Sequence, residues 1–219
     1  MDTSLNSKVL IDRLFSLLDD WRNLPAYQLE RRADIFFAIY LDKIIKSKFG
    51  DSIDFIVPEF PIRVGDISEK LPDLNKSFKI DYVAVCEAAK KVYFIELKTD
   101  QGSRRDKQDW YLDKAKQINI TKLVDGIIKI YGATLQKRKY DNLISLLTKI
   151  GWVLTDSGIF TNTSKDYEIV VVYIQPVNPK NANDIISFAE VSSFLTDQYD
   201  DLTKRFVQSL SSWTTNPND

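Results

Sequence analysis

Asp81, Glu96 and Lys98 place charge where charge is least expected. They interrupt two segments, Phe78 to Cys86 and Val92 to Thr99, that are largely apolar on both faces and rich in β-branched and aromatic residues. That is the pattern of strands buried on both faces. The polar stretch Glu87-Ala88-Ala89-Lys90 between them reads as a short hairpin connection. With that connection Cys86 faces Lys91. Five residues back along the first strand and five forward along the second, Asp81 stands opposite Glu96. Directly opposed residues share a face of the sheet, and Lys98, two residues beyond Glu96, shares it too. Two facing carboxylates repel, and burial worsens the repulsion. A divalent cation between them removes the conflict, because carboxylates, water and a substrate phosphate are the oxygen ligands that Mg²⁺ prefers. An ammonium beside such an ion is placed to polarise a water or to hold charge developing on a phosphate. The competing reading is structural: Lys98 neutralises one acid and solvent covers the other.

The elements that must position these residues are legible in outline. Val9, Leu10, Leu14, Leu17 and Leu18 recur at helical spacing over 6–18, and Asn23-Leu24-Pro25 breaks the pattern. A longer helix is expected from about Tyr27 to Phe49, with Leu29, Ala33, Phe36, Phe37, Tyr40, Leu41 and Ile44 on its apolar side and Gly50 at its end. Residues 53–64 look extended, and Pro58 and Pro61 confine them to an edge strand. A polar loop over about 65–76 leads into the hairpin. After it a helical stretch is expected from Arg104 to Ile130, with Gly126 as a point of interruption, then a helix over 140–150 and a strand from Glu168 to Gln175. Phe188–Leu195 and Leu202–Trp213 read as final helices. The order predicts an α/β fold with a mixed sheet. Asp19-Asp20 and Asp200-Asp201 read as surface caps or turns, Cys86 as a small core residue at a strand end, and the four tryptophans as core or staple residues.

Composition narrows the chemistry further. With 219 residues, 44% of them hydrophobic, the chain can fill a real core. It contains no histidine, which excludes Ser-His-Asp and Cys-His catalysis, zinc-histidine sites and any histidine general base. A single cysteine forms neither an intramolecular disulfide nor a cysteine-rich metal site. The formal net charge of −1 excludes a polycationic coat protein. Charge is nevertheless uneven: residues 101–140 hold ten Lys or Arg against four Asp. Arg104, Arg105 and Lys107 open this block directly after the hairpin and are candidates for phosphate contacts, which give affinity without sequence choice. Met1-Asp2-Thr3-Ser4 has no basic start leading into an apolar stretch, so no secretory signal is expected. The longest apolar run, Ile169 to Ile174, falls far short of the ~20 residues that span a bilayer. The expectation is a cytoplasmic protein without a membrane partner.

Lys79-Ile80-Asp81 followed by Phe94-Ile95-Glu96-Leu97-Lys98-Thr99 resembles the PD-(D/E)XK nuclease superfamily. Ile80 stands where the family name has proline. The resemblance covers about residues 27–175 and extends to element order: helix, strand, hairpin, helix, strand. It implies a restriction-endonuclease-like core, a central mixed sheet flanked by helices, within a single domain over 1–219. It implies a Mg²⁺- or Mn²⁺-dependent nuclease acting on DNA, with Asp81, Glu96 and the Leu97 backbone carbonyl as metal ligands. Lys98 would position or help deprotonate the attacking water. The family often adds an acid from the preceding helix as a direct or water-mediated metal ligand, matched here by Glu30, with Asp34 as the alternative. It also often adds a polar residue from the helix after Glu-x-Lys, matched by Gln108. Homodimers are common in the family. A catalytically silent relative that binds nucleic acid or protein is the alternative, and the presence of both acids and the lysine argues against it.

Overall fold

The computed structural model describes residues 3–68, 74–100, 106–179 and 182–215. Two helices, α1 (Thr3–Trp21) and α2 (Glu30–Phe49), precede the edge strand β1 (Phe55–Arg63) and a single helical turn, α3 (Val64–Ile67). The hairpin strands β2 (Ser77–Cys86) and β3 (Lys91–Leu97) follow, then helices α4 (Asp106–Gln117), α5 (Ile120–Ala133) and α6 (Lys137–Ile150). A small hairpin, β4 (Val153–Asp156) and β5 (Ile159–Asn162), leads to β6 (Glu168–Gln175) and β7 (Ile185–Ser187). Helices α7 (Phe188–Phe194) and α8 (Asp201–Trp213) close the order.

Five strands form one sheet in the order β1-β2-β3-β6-β7, and β4 pairs only with β5. β1, β2 and β3 are successively antiparallel, whereas β6 and β7 are parallel. Glu168 N donates to Lys90 O at 2.9 Å and Lys98 N to Ile174 O at 2.8 Å, so β3 and β6 run in the same direction. The molecule is therefore α/β with a mixed sheet flanked by helices. Among the described residues, no helix is long and apolar enough to cross a membrane.

The chain divides into two compact units. The first comprises Met1–Ser52, Leu97–Arg104 and Val172–Asp219. Its core is aromatic: Phe15 meets Phe36 at 4.6 Å, and Phe206 meets Phe37 edge-on at 5.1 Å and stacks on Tyr40 at 5.5 Å. Ring pairs of this kind add to the burial of their large apolar areas. Asp19 is not a surface cap. Its carboxylate accepts from Arg205 at 2.6 Å, Ser209 at 3.1 Å and Trp213 Nε1 at 2.8 Å, tying α1 to α8. Asp200 does cap α8, accepting from Thr203 N at 2.9 Å.

The second unit comprises Ile53–Glu96 and Arg105–Val171. Phe60 packs between Phe94 and Trp152, each 6.4 Å away. Helix α5 runs through Gly126 without interruption; the break falls earlier, at Asn119, whose side chain accepts from Lys122 N as an N-cap. Gly126 answers a packing demand, because a Cβ there would come within 2.0 Å of Asp66 Oδ2. Gly50 ends α2 as expected, with a left-handed φ of 83°. Trp152 and Trp213 are core residues, but Trp21 and Trp110 are 46% and 40% exposed.

Candidate active site

The β2–β3 register is the one counted from the sequence. Cys86 pairs with Lys91 and Tyr82 with Ile95, and the same register carried one position further would face Asp81 with Glu96. The strands hold that register because Val83, Ala84, Val85, Val92, Phe94 and Ile95 are all fully buried, and a one-residue slip would exchange every side chain between faces. Asp81 is half-buried and Glu96 is buried, in the same unit. Gln108, from the first turn of α4, donates its side-chain amide to Glu96 Oε2.

The chain continues from Glu96 through Leu97 to Lys98 and enters the first unit. Lys98 is 5% exposed, an environment in which an ammonium needs partners. Its Nζ donates to the Leu97 carbonyl at 2.9 Å and lies 3.6 Å from Glu30 Oε2. Glu30 is the first residue of α2, where its charge also favours the positive end of the helix dipole. Asp34, the alternative acid, accepts from the neighbouring Ile35 N at 2.7 Å. The structure thus joins Glu30, Leu97 and Lys98 in one group, and Glu96 and Gln108 in another. Lys107 is exposed, its Nζ 5.7 Å from the Tyr111 ring centre, and Tyr111 stacks on Phe78 at 4.5 Å. Arg104 and Arg105 lie outside the described residues.

One carboxylate in this region was not singled out from the sequence. The pairs Pro58↔Tyr82 and Phe60↔Ile80 bracket Glu59 and Asp81, which puts Glu59 across from Asp81 on the edge strand. Glu59 has a left-handed φ of 52°, rare for a residue with a side chain, and its carboxylate pairs with Lys79 at 3.0 Å. No tight turn links β1 to β2, so their register cannot be counted as the hairpin's can. Among the described residues, no three Asp, Glu or Cys side chains gather into a group that would hold a metal by themselves. The second unit offers two hairpin carboxylates and a side-chain amide. These are hard oxygen donors of the kind Mg²⁺ or Mn²⁺ accepts when water and substrate complete its shell.

Comparison with known protein families, curated proteins and solved structures finds no match to this chain.

Proposed function

We propose that the chain is a metal-dependent nuclease that hydrolyses DNA phosphodiester bonds. The observation that carries this reading is the hairpin register from Cys86↔Lys91 to Tyr82↔Ile95, which carried one position further would face Asp81 with a buried Glu96, two residues before a buried lysine. Asp81, Glu96 and the Leu97 carbonyl are the donors that would hold Mg²⁺ or Mn²⁺. The ion would supply Lewis acidity toward the phosphate and lower the pKa of a bound water. Gln108 orients the Glu96 carboxylate through its amide. Glu30, 3.6 Å from the Lys98 ammonium, holds it at a defined place. From there the ammonium orients the attacking water or stabilises charge on the phosphoryl oxygens. Lys107 and its basic neighbours supply phosphate contacts that fix the strand without reading bases.

The test is incubation of the full chain with plasmid, linear duplex and single-stranded DNA in Mg²⁺, Mn²⁺ or chelator. The expected result is cleavage that needs metal and is lost in Asp81→Asn, Glu96→Gln and Lys98→Ala. Folded protein that cleaves none of these DNAs in either metal overturns the reading and leaves the polar set a structural one.

A further inference from the structure

Helix α1 has two apolar faces. One, centred on Phe15 and Leu18, is buried against the rest of its unit. Beside it on the helix surface, about 100° round, Leu10, Leu14, Leu17 and Trp21 are 66%, 40%, 37% and 46% exposed. At roughly 100° per residue these four fall within a stripe about 60° wide. Trp21 keeps that exposure even with Tyr27 edge-on at 6.2 Å.

The spacing of the stripe is four, three, four residues, which is the seam of a coiled coil. It also reads the same in either direction. An antiparallel second copy would therefore present an identical ladder, with Leu10 against Trp21 and Leu14 against Leu17 about a two-fold axis midway along the stripe. The charges bordering the stripe fit the same partner. Arg13 and Asp20 are both exposed, lie on the same edge of the stripe and stand one heptad apart. Antiparallel pairing brings Arg13 of each copy to Asp20 of the other, giving two ion pairs related by the axis. Parallel pairing would not, since each flanking residue would then meet the opposite edge of its partner, where Leu18 is already buried.

We infer that the chain forms an antiparallel homodimer through the Leu10-Leu14-Leu17-Trp21 face of α1. One helix pair buries less than the ~800 Å² per partner of a standard interface, so the expected dimer is weak and its population depends on concentration. The inference rests on the first unit alone and is independent of the proposed hydrolysis.

Sedimentation velocity of the full chain over roughly 1–200 μM brackets the affinity of so small an interface. The expected result is a concentration-dependent shift from the 25.3 kDa monomer toward twice that mass. Leu14→Glu is expected to remain monomeric throughout, with its far-UV spectrum and melting temperature measured as the folding control. Leu10→Lys, at the more exposed end of the stripe, gives the same readout should Leu14→Glu fail to fold. Arg13→Asp and Asp20→Arg should each weaken the dimer by roughly tenfold, because attraction becomes repulsion at both symmetric pairs. The double variant should restore it. A wild-type chain that is monomeric across the range, or a dimer indifferent to Leu10→Lys and Leu14→Glu, overturns the inference. A double variant no better than the singles overturns the antiparallel arrangement.

Discussion

Lys98 is a buried charge that its surroundings must match. A buried ammonium is costly unless its charge and donors are matched, and the Leu97 carbonyl and Glu30 carboxylate provide part of that match. Glu30 is about one-third exposed, so its charge is partly screened. Glu30→Gln should lower stability by only about 1 kcal/mol in urea titration, while reducing hydrolysis by loosening the ammonium. Lys98→Ala should separate two properties: divalent metal still stabilises the fold, and cleavage is lost. Asp19 belongs to a different class of residue. Three donors converge on it, including the largely buried Arg205 guanidinium, and truncation leaves all three without their acceptor. Asp19→Ala should therefore destabilise the protein by about 2–4 kcal/mol, measured by denaturant titration.

At the level of elements, α5 carries a paired comparison within a single helix. Gly126 lies where a Cβ would meet a carboxylate oxygen at 2.0 Å, whereas a Cβ at Gly132 meets nothing within 4 Å. Gly126→Ala should destabilise by about 1–3 kcal/mol through overpacking. Gly132→Ala should stabilise by about 0.5–1 kcal/mol through helix propensity, and both are read from thermal or urea melts. The same helix shows why its boundaries were hard to read from sequence. Glycine inside a helical pattern suggests a break, yet the reason for Gly126 is Asp66, sixty residues away in the chain and invisible to periodicity. The actual break, at Asn119, is marked by a side-chain cap. The hairpin register was legible because a short connection and two continuous apolar strands leave one way to pair. β6 was legible as a run of β-branched residues closed by Pro176. The β4–β5 hairpin and β7 were not, since four- and three-residue strands carry too little alternation to stand out. The position of Glu59 across from Asp81 depends on a long connection and could not be counted. Asp19 looked like a surface residue because its partners lie near the far end of the chain.

For the whole molecule, the absence of histidine leaves few groups titrating near neutrality, and stability should vary little between about pH 6 and 8. The acid side is different. Burial works against the Glu190 carboxylate, but Lys48 and the Ser187 backbone and hydroxyl outweigh it and hold its pKa below the ordinary 4.5. Asp200, accepting from Thr203, is likewise held below 3.8. A lowered folded-state pKa contributes stability that is present above the ordinary value and is lost as pH falls through the folded value. The stability gap between wild type and Glu190→Gln should therefore narrow on acidification below that ordinary value, as equilibrium unfolding across pH would record. The hairpin carboxylates Asp81 and Glu96 are proposed to form a divalent-cation site. The most direct measurement is the melting temperature of wild type and Asp81→Asn with Mg²⁺, Mn²⁺ or chelator. A cation that binds only the folded chain adds about 2.7 kcal/mol at a hundredfold excess over its Kd. Wild type should therefore melt higher with metal and Asp81→Asn should not respond, while the variant without metal is at least as stable as the metal-free parent. A wild-type chain indifferent to either metal, together with an Asp81→Asn variant several kcal/mol less stable in chelator, would contradict the account and make Asp81 a structural partner of buried charge.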